Sequence, residues 1–163
     1  MNSPLFAVDT NFLMDLAFPR DVAHDALDLI LERSPKAAVL VTERVLVELD
    51  RFATTPALGK QALALKAQAV MIERGIRPVL LADLQVPIAA SIATKLIDQG
   101  ILPWKERNDA RILAEAAVLG CRLLITSDKH LRDADRTQLA RVLRECGFSE
   151  VMVRKPAEIA RLF

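Results

Sequence analysis

The chain has 163 residues, most simply one domain spanning 1–163 and long enough to bury a sizeable core. It is 52% hydrophobic and 26% charged, a balance that excludes an intrinsically disordered segment. With 22 basic against 21 acidic residues, no global field draws it to nucleic acid or membrane, so any polyanion site must be a local patch. Cys121 and Cys146 are too few for a disulfide framework, and His24 and His130 do not complete a zinc site. Buried reduced thiols in a cytosolic protein are the expectation. No apolar run reaches transmembrane length and no charged, signal-like lead opens the chain, which points to a soluble, cytoplasmic protein.

In chain order, residues 5–8 (Leu-Phe-Ala-Val) read as a short apolar strand that stops at Asp9-Thr10-Asn11. Leu13, Met14, Leu16 and Ala17 continue as a short helix before Pro19, and residues 21–32 form a second helix. Residues 37–41 are another buried strand, after which Thr42 is placed to cap a helix. In that helix Val45, Leu49, Phe52 and Ala53 define the apolar face. Glu48 borders the face, about 40° from Phe52, while Glu43 and Asp50 point the opposite way. A long alanine-rich helix over 58–74 ends at Gly75; a strand over 77–82 and a helix over 87–99 follow. Residues 101–107, with Pro103 and Trp104, read as a loop.

The stretch 108–131 holds a helix, a glycine stop and a strand over 122–126. On the helical wheel Leu113 and Ala116 fall within about 40° of Asp109, with Arg111, Glu115 and Asn108 on the other side. Asp109 therefore sits amid the apolar face, an expensive place for a carboxylate unless it is paired or holds a cation. Asp128 follows the strand directly, where open α/β sheets place their ligands. Beyond it come a helix over 138–145, a strand over 151–153 and a closing helix over 156–162. Strands alternating with helices imply an α/β fold with a parallel sheet covered on both faces.

Asp9 ends the first strand as Asp128 ends the fourth; if the two strands are neighbours, both acids project into one crevice. With Glu48 and Asp109 on core-directed helix positions, four acids form a cluster that repels itself. A hard divalent cation such as Mg²⁺ or Mn²⁺ resolves that repulsion. It also suggests metal-assisted hydrolysis of phosphodiesters.

Asp-Thr-Asn at a first-strand end, the glutamate in VLVEL, Asp109 in NDARILAEAAVLG and the segment ITSD, in this order and spacing, resemble the PIN-domain nucleases. The resemblance implies a three-layer α/β/α sandwich with a mostly parallel sheet and Mg²⁺- or Mn²⁺-dependent cleavage of RNA. Many small bacterial members are VapC-type toxins, commonly homodimers inhibited by a cognate antitoxin. Carried over by motif, Asp9, Glu48, Asp109 and Asp128 are the catalytic acids, with Asp9, Asp109 and Asp128 as metal ligands. Thr10, Asn11 and Thr126 are then the polar supports that orient them. One departure stands out: Leu131 occupies the position where many toxin-type members carry a further acid. That puts a second metal in doubt and leaves a non-toxin PIN nuclease open.

Lys105, Arg107, Lys129, His130 and Arg132 flank Asp109 and Asp128 and are candidates for RNA phosphate contacts. Arg20 and Arg51 are better read as surface residues, and Trp104 as a plug in the core or a dimer contact rather than a base-stacking platform. Two rivals remain. An aspartyl-phosphate phosphatase would use Asp9 as nucleophile but expects an acid where Asn11 stands. A PIN-fold interaction module without catalysis would not need all four acids.

Overall fold

The computed structural model describes residues 3–19 and 22–163; Arg20 and the expected helix start at Asp21 lie outside the described residues. Five strands, β1 (Leu5–Val8), β2 (Ala38–Thr42), β3 (Arg77–Val79), β4 (Leu123–Ile125) and β5 (Met152–Arg154), pair in parallel in the order β3-β2-β1-β4-β5. The central strands are continuous apolar runs because both of their faces are covered; Ala7, Val8, Val41, Leu124 and Ile125 are fully buried. Pro78 lies in β3, at an edge, where its missing N–H costs no ladder bond. β3 is shorter than the 77–82 expected, and the register explains it: Val79 pairs with Thr42, where its only neighbour ends.

Helices α1 (Thr10–Leu16), α2 (Val22–Arg33), α3 (Glu43–Thr54), α4 (Gln61–Glu73), α5 (Gln85–Asp98), α6 (Arg107–Val118), α7 (Lys129–Asp133) and α8 (Arg136–Glu145) cover the sheet to give the three-layer sandwich. Helix α4 packs on α1 and α3, and α5 on α6 and α8, with α3 and α6 also in contact with each other. The helix expected over 58–74 begins at Gln61, because Gly59 at φ +70° closes a separate 3₁₀ turn at Pro56–Leu58. The closing segment, Pro156–Arg161, is 3₁₀ rather than α-helical.

Two features set the site's position. β1 and β4 are neighbours, yet β1 leads toward β2 and β4 toward β5, so the chain leaves this seam in opposite directions. Such a switch point opens a crevice at the carboxyl ends of the strands. The second feature is α6. Gly120 adopts φ +77°, and the N–H groups of Gly120 and Cys121 donate to Ala117 and Ala116, a glycine-dependent stop that turns the chain straight into β4. Cys121 is buried there, and burial pushes its thiol up to about 12, as suits an inert core cysteine.

Two expectations around α6 need correction. Glu115, placed by its helical angle on the solvent side, is buried. Helix α6 packs against both α5 and α3, so it has little outward face. Glu115 accepts a hydrogen bond from the Arg44 N–H at 2.9 Å and pairs with Arg111 at 3.0 Å. It thereby satisfies a free amide at the start of α3, the task expected of Thr42. The Thr42 side chain makes no capping bond, and its hydroxyl is buried without a partner. A carboxylate reaching across from another helix has displaced the local cap.

Candidate active site

Asp9 stands at the end of β1 and is the N-cap of α1: its Oδ1 accepts from the Phe12 N–H at 2.8 Å. Its Oδ2 accepts from the hydroxyl of Thr126, which is fully buried. The same Thr126 Oγ1 accepts from the Asp128 N–H at 2.8 Å. One threonine at the end of β4 thus ties the two strand-end acids together across the β1–β4 seam. Asp128 is itself the N-cap of α7, accepting from the N–H groups of His130 and Leu131 through Oδ1 alone. That cap explains why α7 forms at all. Glu48 is held by Thr10, whose hydroxyl donates to Oε2 at 2.5 Å. Asp109 lies in the first turn of α6, and its Oδ2 is buried without a hydrogen-bond partner.

These four acids line one cleft of about 200 Å³, together with Thr10, Asn11, Glu106, Asn108, Lys60, Lys105, Phe52 and Ile112. Their crowding shows in their ionisation. Burial pushes Asp9 up to about 7, against the pull of its bonds to Thr126 and Phe12, and Asp128 and Glu48 add to the rise. Burial likewise pushes Asp109 up to about 8, reinforced by Asp128, Asp9 and Glu106.

Glu106 is the acid that sequence reasoning missed. It shares the cleft wall with Asp109, adds to the rise of that carboxyl, and pairs with His130 Nε2 at 3.3 Å. The signal was its spacing of three from Asp109, which puts both on one side of a helix start. Reading 101–107 as plain loop hid it. Lys60 was missed for a similar reason, being assigned to the interior of an over-long helix. It stands over the Phe52 ring at 4.7 Å, on the cleft.

The expected phosphate contacts separate. Lys105 lines the cleft, His130 is engaged by Glu106, and Lys129 is exposed outside the cleft lining. Arg107 lies elsewhere, in a groove of about 580 Å³ between α3, α5 and α6. That groove is larger than the cleft, but in it Glu43, Asp98 and Glu115 are matched by Arg44, Arg107 and Arg111, so its charges balance. The four sequence-predicted acids gather in the smaller cleft. Arg51 is exposed, as expected; Trp104 is 72% exposed and plugs nothing.

The chemistry of the four acids suits a cation. A buried acceptor without a donor, two carboxyls forced toward their protonated forms and an all-oxygen ligand set match what a hard divalent ion relieves. Among the described residues no three acidic, histidine or cysteine side chains yet stand close enough to grip an ion, so they line its site without closing on it.

An α/β/α sandwich with acids gathered at a parallel-sheet switch point defines the class. The PIN domain profile matches residues 6–137, and the chain belongs to that family of nucleases. No curated protein matches it. Among solved structures it is similar in fold to VapBC2 from Rickettsia felis, bound to a promoter DNA fragment (TM-score 0.62, 14% identity, 93% of this chain and 98% of that one). It is also similar to VapBC-1 from nontypeable Haemophilus influenzae (TM-score 0.59, 16% identity, 94% and 98%). A third is VapC20 from Mycobacterium tuberculosis, a Sarcin-Ricin loop cleaving toxin (TM-score 0.50, 18% identity, 90% and 98%).

Proposed function

We propose that this protein is a Mg²⁺- or Mn²⁺-dependent endoribonuclease that hydrolyses RNA phosphodiester bonds in the cleft of Asp9, Glu48, Asp109 and Asp128. The observation that carries the reading is the convergence of four carboxylates, from two strand ends and two helices, on one cleft with a buried acceptor left over. When bound, a hard divalent ion supplies Lewis-acid polarisation of the phosphodiester and an acidified water. The chain's own residues do the positioning. Thr126 and the Phe12 N–H fix the Asp9 carboxylate, Thr10 fixes Glu48, and the α7 N-terminus fixes Asp128. Asp9, Asp109 and Asp128 would hold the ion, and Asp109 Oδ2 is the acceptor still open to what enters.

Purified protein is expected to cleave single-stranded RNA in Mg²⁺ or Mn²⁺ and to stop in EDTA. Glu48→Gln should cost at least ~10²-fold in rate. Glu43→Gln, on the far groove, should leave the rate unchanged. Cleavage that persists after trace metal is stripped, or equal losses in both variants, overturns the reading.

We further infer a cytoplasmic toxin held by a cognate antitoxin, supported by the VapBC complexes among the structural neighbours. A homodimer is part of the same proposal. Leu80, Leu84, Val86 and Ile88 expose an apolar run where β3 passes into α5, surface that a second copy can cover. Light scattering should show a dimer at micromolar concentration; a monomer there overturns this part. The silent interaction module finds no support in a site that retains all four acids.

A further inference from the structure

Beside the acidic cleft, between β5, α7 and the start of α8, Arg132, Arg136 and Arg154 surround a second, small pocket of about 90 Å³, floored by Leu131, Leu139 and Val153 and carrying one acid, Glu150. We propose that this pocket takes a backbone phosphate of the bound RNA strand, flanking the phosphodiester in the cleft. The proposal rests on the ribonuclease reading and adds a subsite to it.

Three observations support the assignment. The first is position. Ile125 is in register with Arg154, and the Thr126 N–H donates to the Arg154 carbonyl at 2.9 Å. Arg154 thus lies one strand spacing, roughly 4.8 Å, beyond the threonine that holds Asp9. Arg132 belongs to α7, whose cap is Asp128, and its Nε donates to the Asp128 carbonyl at 3.3 Å. A polynucleotide lying across Asp9 and Asp128 must pass either this pocket or the opposite wall of the cleft.

The second is unspent charge. Among the described residues none of the three arginines has a carboxylate at ion-pair distance. Glu158, on the neighbouring 3₁₀ segment, is drawn below its ordinary range, first by the hydrogen bond from the Lys155 N–H and then by Lys155, Arg154 and Arg136. Three arginines and Lys155 against the carboxylates of Glu150 and Glu158 leave the patch positive.

The third is fit. A guanidinium fork matches phosphate oxygens two at a time, and Arg132 already has its Nε committed, which fixes the plane of its group. A drug-sized ligand needs roughly 300–1,000 Å³, so a pocket this small suits a single group of a longer molecule. The cleft itself adds only Lys60 and Lys105 as cations, too few to hold a strand by its backbone.

The test is fluorescence anisotropy of a labelled single-stranded RNA twelve-mer in EDTA, across a salt series, with cleavage of the same RNA measured separately in Mn²⁺. Arg136→Gln, at an exposed first-turn position, and Arg154→Gln should each weaken binding about 5- to 10-fold and reduce the salt slope by about 1. Arg122→Gln, exposed at the amino end of β4, should do neither. Cleavage of a di- or trinucleotide too short to reach the pocket should be unaffected in Arg136→Gln. If the wild type binds and cleaves RNA while Arg136→Gln matches it in affinity and slope, the subsite is wrong and the ribonuclease reading stands. A wild type that neither binds nor cleaves RNA overturns both.

Discussion

Replacing Glu115 with alanine should destabilise the protein by about 2–4 kcal/mol, the largest effect expected from any surface-to-core carboxylate in this fold. Among the described residues, Glu115 is the one buried acid that lies outside the cleft. Its removal strands the Arg44 N–H and leaves Arg111 without its ion-pair partner. Arg111 remains about a quarter open to solvent (24% side-chain exposure) and can rehydrate, which holds the loss below the upper range for buried pairs. For a chain of this length the melting temperature should fall by roughly 5–15 °C. Glu115→Gln keeps an acceptor for Arg44 and should lose less than half as much. Calorimetry decides it: an alanine variant melting within a degree of wild type would show that the α3–α6 seam needs no cap. The seam also carries Arg44 to Asn108, at 2.9 Å from Nε, and Asn108 precedes Asp109. Loosening it should therefore slow catalysis as well.

The metal-free protein should lose stability as pH rises, and Asp109→Asn should remove much of that loss. Asp109 titrates at about 8 and Asp9 at about 7, against roughly 4 for an aspartate in the unfolded chain. The folded state therefore holds these protons more tightly. Its advantage is complete below pH ~4 and is lost as pH climbs through the folded values to about 8. At pH 8.5 in EDTA, Asp109→Asn should be more stable than wild type by about 1–2 kcal/mol, a figure reduced for the side chain's partial contact with water. Millimolar Mn²⁺ should stabilise the wild type at that pH, more than at pH 6, and do little for the variant. Identical pH profiles in EDTA, together with an unchanged Mn²⁺ response, would remove Asp109 from the site.

The acids were legible because each sits at a place where sequence grammar is strict. Asp9 directly follows β1 and caps α1, while Asp128 lies just past the end of β4 and caps α7, so each acid marks the passage from strand to helix. Asp109 betrayed itself by angle, a charge on the buried stripe of α6. What escaped was decided by partners distant in sequence. Nothing near Glu115 announces that the Arg44 amide, 71 residues away, will need it. Its wheel position was read correctly, but the wheel assumes one wet face, and α6 is flanked by α3 and α5. Glu106 and Lys60 were lost at element boundaries, where a single cap or a left-handed glycine outweighs propensity.

The bond from Thr126 to Asp9 closes a span of 117 residues, and it has a temporal meaning. Ribosomal synthesis delivers Asp9 and Glu48 well before β4 emerges to insert beside β1, and Asp109 shortly before it. Until that strand docks, Asp9 lacks the hydroxyl that orients it and Asp128 has not been made. A nascent chain carrying three of the four acids has therefore no assembled cleft. Contacts this distant in sequence are also the slow ones to form. The cleft is therefore completed late, once β4 has docked against β1.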